Sequence, residues 1–257
     1  MFFDIEVDFD PERGYASTDD PFMPVTAISC YMSWTDQLVT LAVPPKTLTM
    51  QQAKDQTKEW GEECVLFEKE GDMLQAFLDL IEDSDIITGW NVNSFDMHYL
   101  VNRIAKILGD SEMKRLSPWR KVDKVSTVIR GQNTTQIKLC GVNIIDYLDL
   151  YRKFTYVTQE SYRLDHIGFV ELGKKKLDHS EFSAMHLFYK NNYQKYIDYN
   201  IVDVELVDKL DDKLKLLDLL ITIAYSAKIN FEEVMSPIRT WDSVSYTHLT
   251  LPTTPYV

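Results

Sequence analysis

Along the first residues of the chain, apolar and polar positions alternate through FFDIEV, a period of two that predicts a strand. Two more strands are expected at Val25–Trp34 and Gln37–Val43, joined by a short turn at Thr35-Asp36. A polar stretch over 44–63 leads into a short strand at Cys64–Phe67. The period then lengthens. Met73, Leu74, Phe77, Leu78 and Ile81 recur at helical spacing and predict an amphipathic helix over Gly71–Asp83. Ile86–Trp90 reads as a strand and Asn91–Ser94 as a loop, with a helix starting near Asp96 and Ser94 as its N-cap. Lys121–Leu139 has two β-rich halves about Gly131-Gln132-Asn133, a hairpin signal, and Val142–Tyr147 is a further strand. From Ser161 onward the pattern is helical. Its longest expected helix is Asn191–Leu220, where Ile197, Ile201, Val204, Val207 and Leu210 are spaced by threes and fours. Antiparallel strands followed by strand–helix alternation predict an α/β domain with a mixed central sheet flanked by helices.

Composition narrows the function classes. With 257 residues, 45% of them hydrophobic and 26% charged, the chain has the make-up of a folded globular protein. No apolar run approaches the roughly 20 residues that cross a bilayer, so no membrane partner is expected. Cys30, Cys64 and Cys140 lie far apart in no metal-binding spacing, which fits free thiols in a reducing compartment such as the cytoplasm. Lys and Arg number 27 against 40 Asp and Glu, a net charge of −13. That balance disfavours a binder that grips nucleic acid with a basic face. It leaves open an enzyme that holds phosphates through divalent cations, because such a site is itself made of carboxylates.

Acids stand out at three places. Asp4 and Glu6, two apart on a strand, leave the same face. Asp96 falls in the first turn of its helix, where the macrodipole stabilises an anion. Tyr199 and Asp203, at i and i+4, share one helical face. Each alone has a plainer explanation: a solvated edge strand, a helix-end charge, a water-facing Asp.

Together, and in this order, the strand Asp-x-Glu, the Asn-x-x-x-Phe-Asp of Asn91–Asp96 and the Tyr-x-x-x-Asp of Tyr199–Asp203 resemble the three exonuclease motifs of the family B DNA polymerases. The position five before Asp203 holds Asp198 rather than the His of the sister branch, which places the resemblance in the tyrosine branch. It extends through 86–92, 116–121, 146–154 and 236–242, where the text is similar to the replicative polymerases of T-even-type phages. The resemblance implies a ribonuclease-H-like fold with an inserted β-hairpin at Lys121–Leu139 that helps part a primer terminus from its template. It also implies 3′→5′ exonuclease activity on a single-stranded DNA 3′ end, with two Mg²⁺ ions about 4 Å apart and Mn²⁺ able to substitute. Asp4, Glu6, Asp96 and Asp203 would hold the metals, Asp4 bridging both, and Tyr199 would orient the attacking water. Asn91, Phe95, Lys174 and Lys176 are the candidate substrate contacts.

By the same resemblance, residues 1–216 form the exonuclease domain and 217–242 a helical extension toward the remainder of a polymerase. The Thr/Pro-rich end, 243–257, matches nothing in the family and reads as a non-native tail. The expected partners are a DNA primer terminus and the polymerase and N-terminal domains of the same chain, and the expected setting is the cytoplasm of a phage's host. Rival readings are a stand-alone exonuclease of the same superfamily and an inactive exonuclease-like scaffold. A zinc hydrolase has little support, because the five histidines form no His-x-His or His-Glu-x-x-His set.

Overall fold

A computed structural model describes residues 1–129, 132–173 and 185–249. Its centre is β1, Phe2–Val7. This strand pairs antiparallel with β2, Val25–Met32, which pairs antiparallel with β3, Gln37–Ala42. β4, Cys64–Leu66, adds parallel to the far side of β3. On its other side β1 meets β5, Ile86–Gly89, in parallel, and β5 meets β8, Asn143–Asp146. The six-stranded sheet runs β4-β3-β2-β1-β5-β8, and a separate hairpin is formed by β6, Val122–Ile129, and β7, Gln132–Leu139. Residues 130 and 131, at the expected turn, lie outside the described residues.

Alternation along β1 divides the interior in two. Phe3 and Ile5 face a layer made by α2 (Glu70–Ile81) and α3 (Asp96–Ile107), among Met73, Phe77, Met97 and Leu100. Phe2 faces the opposite layer, where α5 (Tyr147–Phe154) and α8 (Tyr193–Leu214) supply Tyr147, Tyr151, Val204 and Val207. Side chains of a strand alternate, so Asp4 and Glu6 belong to the α8 side.

Three readings of the sequence change. The stretch 44–63 contains a helix, α1, Met50–Gln56, which starts with a capping box between Thr49 and Gln52. Ser94 is not the N-cap of α3; Phe95 occupies that position and makes no side-chain cap. The expected helix Asn191–Leu220 is broken. α8 ends at Lys215 in the left-handed conformation, φ 53°, and α9, Leu216–Ala227, begins. The cause is Asp211, whose Oδ1 accepts the Leu217 N–H at 3.0 Å and captures the first turn of the new helix. Leu216, Leu220 and Ala224 of α9 join the same apolar cluster as Phe2. α10, Pro237–Leu249, takes in the first residues of the segment 243–257; residues 250–257 lie outside the described ones. Among the described residues no helix is long and apolar enough to cross a membrane, and all three cysteines are free thiols.

Candidate active site

The site forms where β1 loses its neighbour. β5 pairs with β1 only at Phe2↔Thr88 and ends at Gly89. The two chains approach so closely there that a Cβ on Gly89 would lie 2.3 Å from the Phe3 carbonyl oxygen, so only glycine fits. Beyond this point the amide of Ile5 has no strand to bond. Asp96 takes the strand's place, its Oδ1 accepting the Ile5 N–H at 3.2 Å. Since Ile5 lies between Asp4 and Glu6, this bond seats the start of α3 against the acidic pair.

Asp96 is 5% exposed. Burial pushes its carboxyl up to about 7. The Ile5 amide and its own backbone N–H hold it down, while Asp146 and Asp203 add to the rise. Asp203, on α8, is therefore within electrostatic reach of Asp96.

α8 lies across β1 and β2. Four residues of helix advance about 6 Å and two residues of strand about 6.6 Å, so the two elements stay level. Glu6 lies beside Tyr196, whose phenol is raised well above its ordinary value by burial and then by the Glu6 charge. Asp4 is level with Asn200, whose Nδ2 donates to Asp4 Oδ2 at 2.8 Å. Phe2 is level with Val204 and Val207. A bulge helps this fit: the register slips between Glu6 and Val7, leaving Thr26 unpaired on β2. The Thr26 hydroxyl donates to the Glu6 carbonyl at 3.1 Å and meets the Tyr196 hydroxyl at 2.5 Å. Tyr199 is 2% exposed, and its ring stacks on Phe188 of α7, Met185–Asn191, with centroids 5.9 Å apart.

Two residues at the site escaped the sequence. Asn200 is one. Asp146, at the end of β8, is the other: its carboxylate accepts the amides of Asn91 at 3.0 Å, Asn93 at 3.1 Å and Leu148 at 3.0 Å. It thus caps α5 and holds the loop before Asp96, where Asn91 is left-handed at φ 66°. Burial and then Asp149 push its carboxyl up to about 6, against the pull of those three amides. Ser94 has no amide to cap, because the Met97 N–H bonds the Val92 carbonyl at 3.0 Å and the Asp96 N–H bonds its own carboxylate. Phe95 is half-buried with its ring on Tyr99, centroids 5.4 Å apart. Lys174 and Lys176 lie outside the described residues.

A cavity of about 490 Å³ lies on the hairpin side of this loop. It shares Asn93 and Asp146 with the loop, is bordered by Lys138 and Glu232, and touches none of Asp4, Glu6, Asp96 or Asp203. Lys138 and Glu232 pair at 2.9 Å and Lys124 reaches the Asn102 side chain at 2.5 Å, so the foot of the hairpin is tied on two sides.

Among the described residues no group of three or more His, Cys, Asp or Glu is gathered tightly enough to hold a metal as it stands. Carboxylates repel at ligand spacing unless a cation lies between them. The donor chemistry nevertheless fits a hard divalent ion. The contributing side chains are all oxygen donors from three elements, and the buried Asp96 carries charge repulsion that a cation would relieve.

A family model for the exonuclease domain of DNA polymerase family B matches residues 1–167. The chain is 39% identical over 186 residues to the DNA-directed DNA polymerase of Escherichia phage RB69, and likewise to that of Enterobacteria phage T4. Each of these two alignments covers 71% of this chain and 20% of the relative. It is 29% identical over 240 residues to the DNA polymerase catalytic subunit of Saimiriine herpesvirus 2, covering 89% of this chain and 22% of the relative. The chain spans about a fifth of the length of the curated relatives it matches. The mixed sheet flanked by helices, with the acids at its open centre, is the architecture expected of such a domain, and the chain belongs to the exonuclease-domain family of the family B DNA polymerases.

Proposed function

We propose that this chain hydrolyses the 3′-terminal phosphodiester of DNA, working 3′→5′, as the proofreading part of a replicative polymerase. The observation that supports this most is the bond from the Ile5 amide to Asp96, which joins an acid of α3 to the acidic pair of β1 with Asp203 of α8 in electrostatic reach. Asp4, Glu6, Asp96 and Asp203 would hold two divalent cations, Mg²⁺ or Mn²⁺, which when bound supply water activation and neutralise charge at the scissile phosphate. Asp96 serves twice, closing the open edge of β1 and presenting its carboxylate beside it. The Tyr199 hydroxyl orients the attacking water, a task for which stacking on Phe188 holds its ring steady. The β6–β7 hairpin keeps the template away from an unpaired 3′ end, and Asn91 and Phe95 border the path of that end. Lys174 and Lys176 are the candidates for neutralising phosphate charge. The partners are the primer terminus and the other domains of a longer polymerase.

Digestion of 5′-labelled oligonucleotides tests this. The chain should give a ladder shortening from the 3′ end in Mg²⁺, faster on single strands than on duplex, and none in EDTA or with Asp203→Ala. Tyr199→Phe should slow the reaction by about 10²–10⁴-fold or less while leaving cation affinity intact, since the hydroxyl only positions water. Undiminished hydrolysis in EDTA would rule the proposal out.

A further inference from the structure

We infer that Asn200 is a positioning residue for Asp4, donating one hydrogen bond that fixes the orientation of the Asp4 carboxylate for a divalent cation; this rests on the cation-dependent reading above. Asn200 is 0% exposed in the middle of α8, between Ile197, Ile201 and Val204 on the helix face that covers β1. An aliphatic residue would pack there without polar cost, and asparagine is a weak helix former. Its amide is nonetheless placed so that Nδ2 donates to Asp4 Oδ2 at 2.8 Å, while its Oδ1 is buried with no hydrogen-bond partner among the described residues. A buried amide with half its capacity unused is not explained by packing. It is explained by the one bond that it makes.

The chemistry of the donor suits the task. A carboxylate held through one oxygen cannot turn freely about its Cβ–Cγ bond, and a hydrogen bond to the charged form favours that form. An amide achieves this while remaining neutral. A lysine in its place would also hold Asp4, but its charge would compete with the cation. The matched rise of strand and helix makes position 200 the one level with Asp4, one turn beyond the Tyr196 that neighbours Glu6. Groups of this kind, bonded to a ligand rather than to the metal, contribute about 10- to 100-fold to metal affinity.

The test uses the 257-residue chain with Asn200→Leu and Asn200→Ala, Mn²⁺ alone as the calorimetric probe, and Tm measured in EDTA. Both variants should bind Mn²⁺ about tenfold or more weakly. The Mg²⁺ concentration for half-maximal exonuclease rate should rise by a similar factor, and the rate at saturating Mg²⁺ should return to within a few fold of the parent. The two variants leave different cavities and should differ in Tm, yet share the loss of affinity. A loss of affinity that follows Tm, or a folded variant that binds Mn²⁺ like the parent, overturns the inference while the cation-dependent reading stands. A parent that takes up no Mn²⁺ overturns both. A measurement on the parent alone guards against variants that fail to fold: the Asn200 side-chain amide resonances should shift with Mg²⁺ at the midpoint of the rate, and resonances indifferent to Mg²⁺ overturn the inference.

Discussion

Asp96 meets opposed demands. The Ile5 amide needs an acceptor, but burial and the neighbouring Asp146 and Asp203 make a charged acceptor costly. Its carboxyl, at about 7 in the fold against an ordinary 3.8, holds a proton more tightly folded than unfolded. Its contribution to stability is therefore fully present below about pH 4 and is lost as pH rises through about 7. Asp96→Asn keeps an oxygen for Ile5 without the charge. In EDTA this variant should melt above the parent, by a margin that grows from pH 4 to pH 7 and is level beyond, and Mg²⁺ should no longer raise its Tm. Thermal melts across that range check it; a variant melting below the parent at pH 8 would mean that a cation of the protein matches the Asp96 charge. The acids were legible because chemistry dictates their type and spacing. Asn200 and Asp146 were not, because an Asn within a helix and an Asp ending a strand are each commonplace. The available signal for Asn200 was its place on the stripe of Ile197, Ile201 and Val204, where a polar residue has no packing reason to be.

At the scale of elements, the close approach of β5 to β1, just before the two strands part, depends on Gly89. A methyl group there would meet backbone, the Phe3 carbonyl at 2.3 Å, as well as the Val92 side chain at 2.6 Å, and backbone cannot move aside as a side-chain tip can. Gly89→Ala should cost about 3 kcal/mol or more, at or beyond the upper end for overpacking. It should also weaken Mg²⁺ stabilisation by displacing β1 from Asp96. Urea unfolding with and without Mg²⁺ measures both; a cost under about 1 kcal/mol would show that the strands can separate freely. Periodicity found most of these elements and misjudged their ends for identifiable reasons. Leu214, Leu216 and Leu217 carry the apolar pattern straight through the break at Lys215, because the break is made by the Asp211 carboxylate and not by a glycine or proline. α1 went unread because Ala53 is its one buried residue, so it has hardly any stripe to show.

For the whole molecule, the first strand is the axis, and helices from the far end of the sequence cover it. The α/β class followed from the order of strand and helix patterns, but nothing in a linear pattern states that residue 4 and residue 200 are neighbours. A chain cut after Asn191 lacks α8 and α9, and with them the cover over Phe2, Asp4 and Glu6. It should show no cooperative thermal transition and little near-UV circular dichroism, and a sharp melt like that of the full chain would contradict this account of the core.

The bond between Asp4 and Asn200 spans 196 positions. Asp4 is made first, and the helix that carries Asn200 follows 196 residues later. At about 5–20 residues per second the ribosome takes roughly 10–40 s to cover that interval. During that time β1, β2 and β3 can pair as a local meander, but no helix yet lies across the two carboxylates. The acids of β1 and α8 therefore come together only after that interval, and a nascent chain that ends before α8 cannot form the proposed cation site.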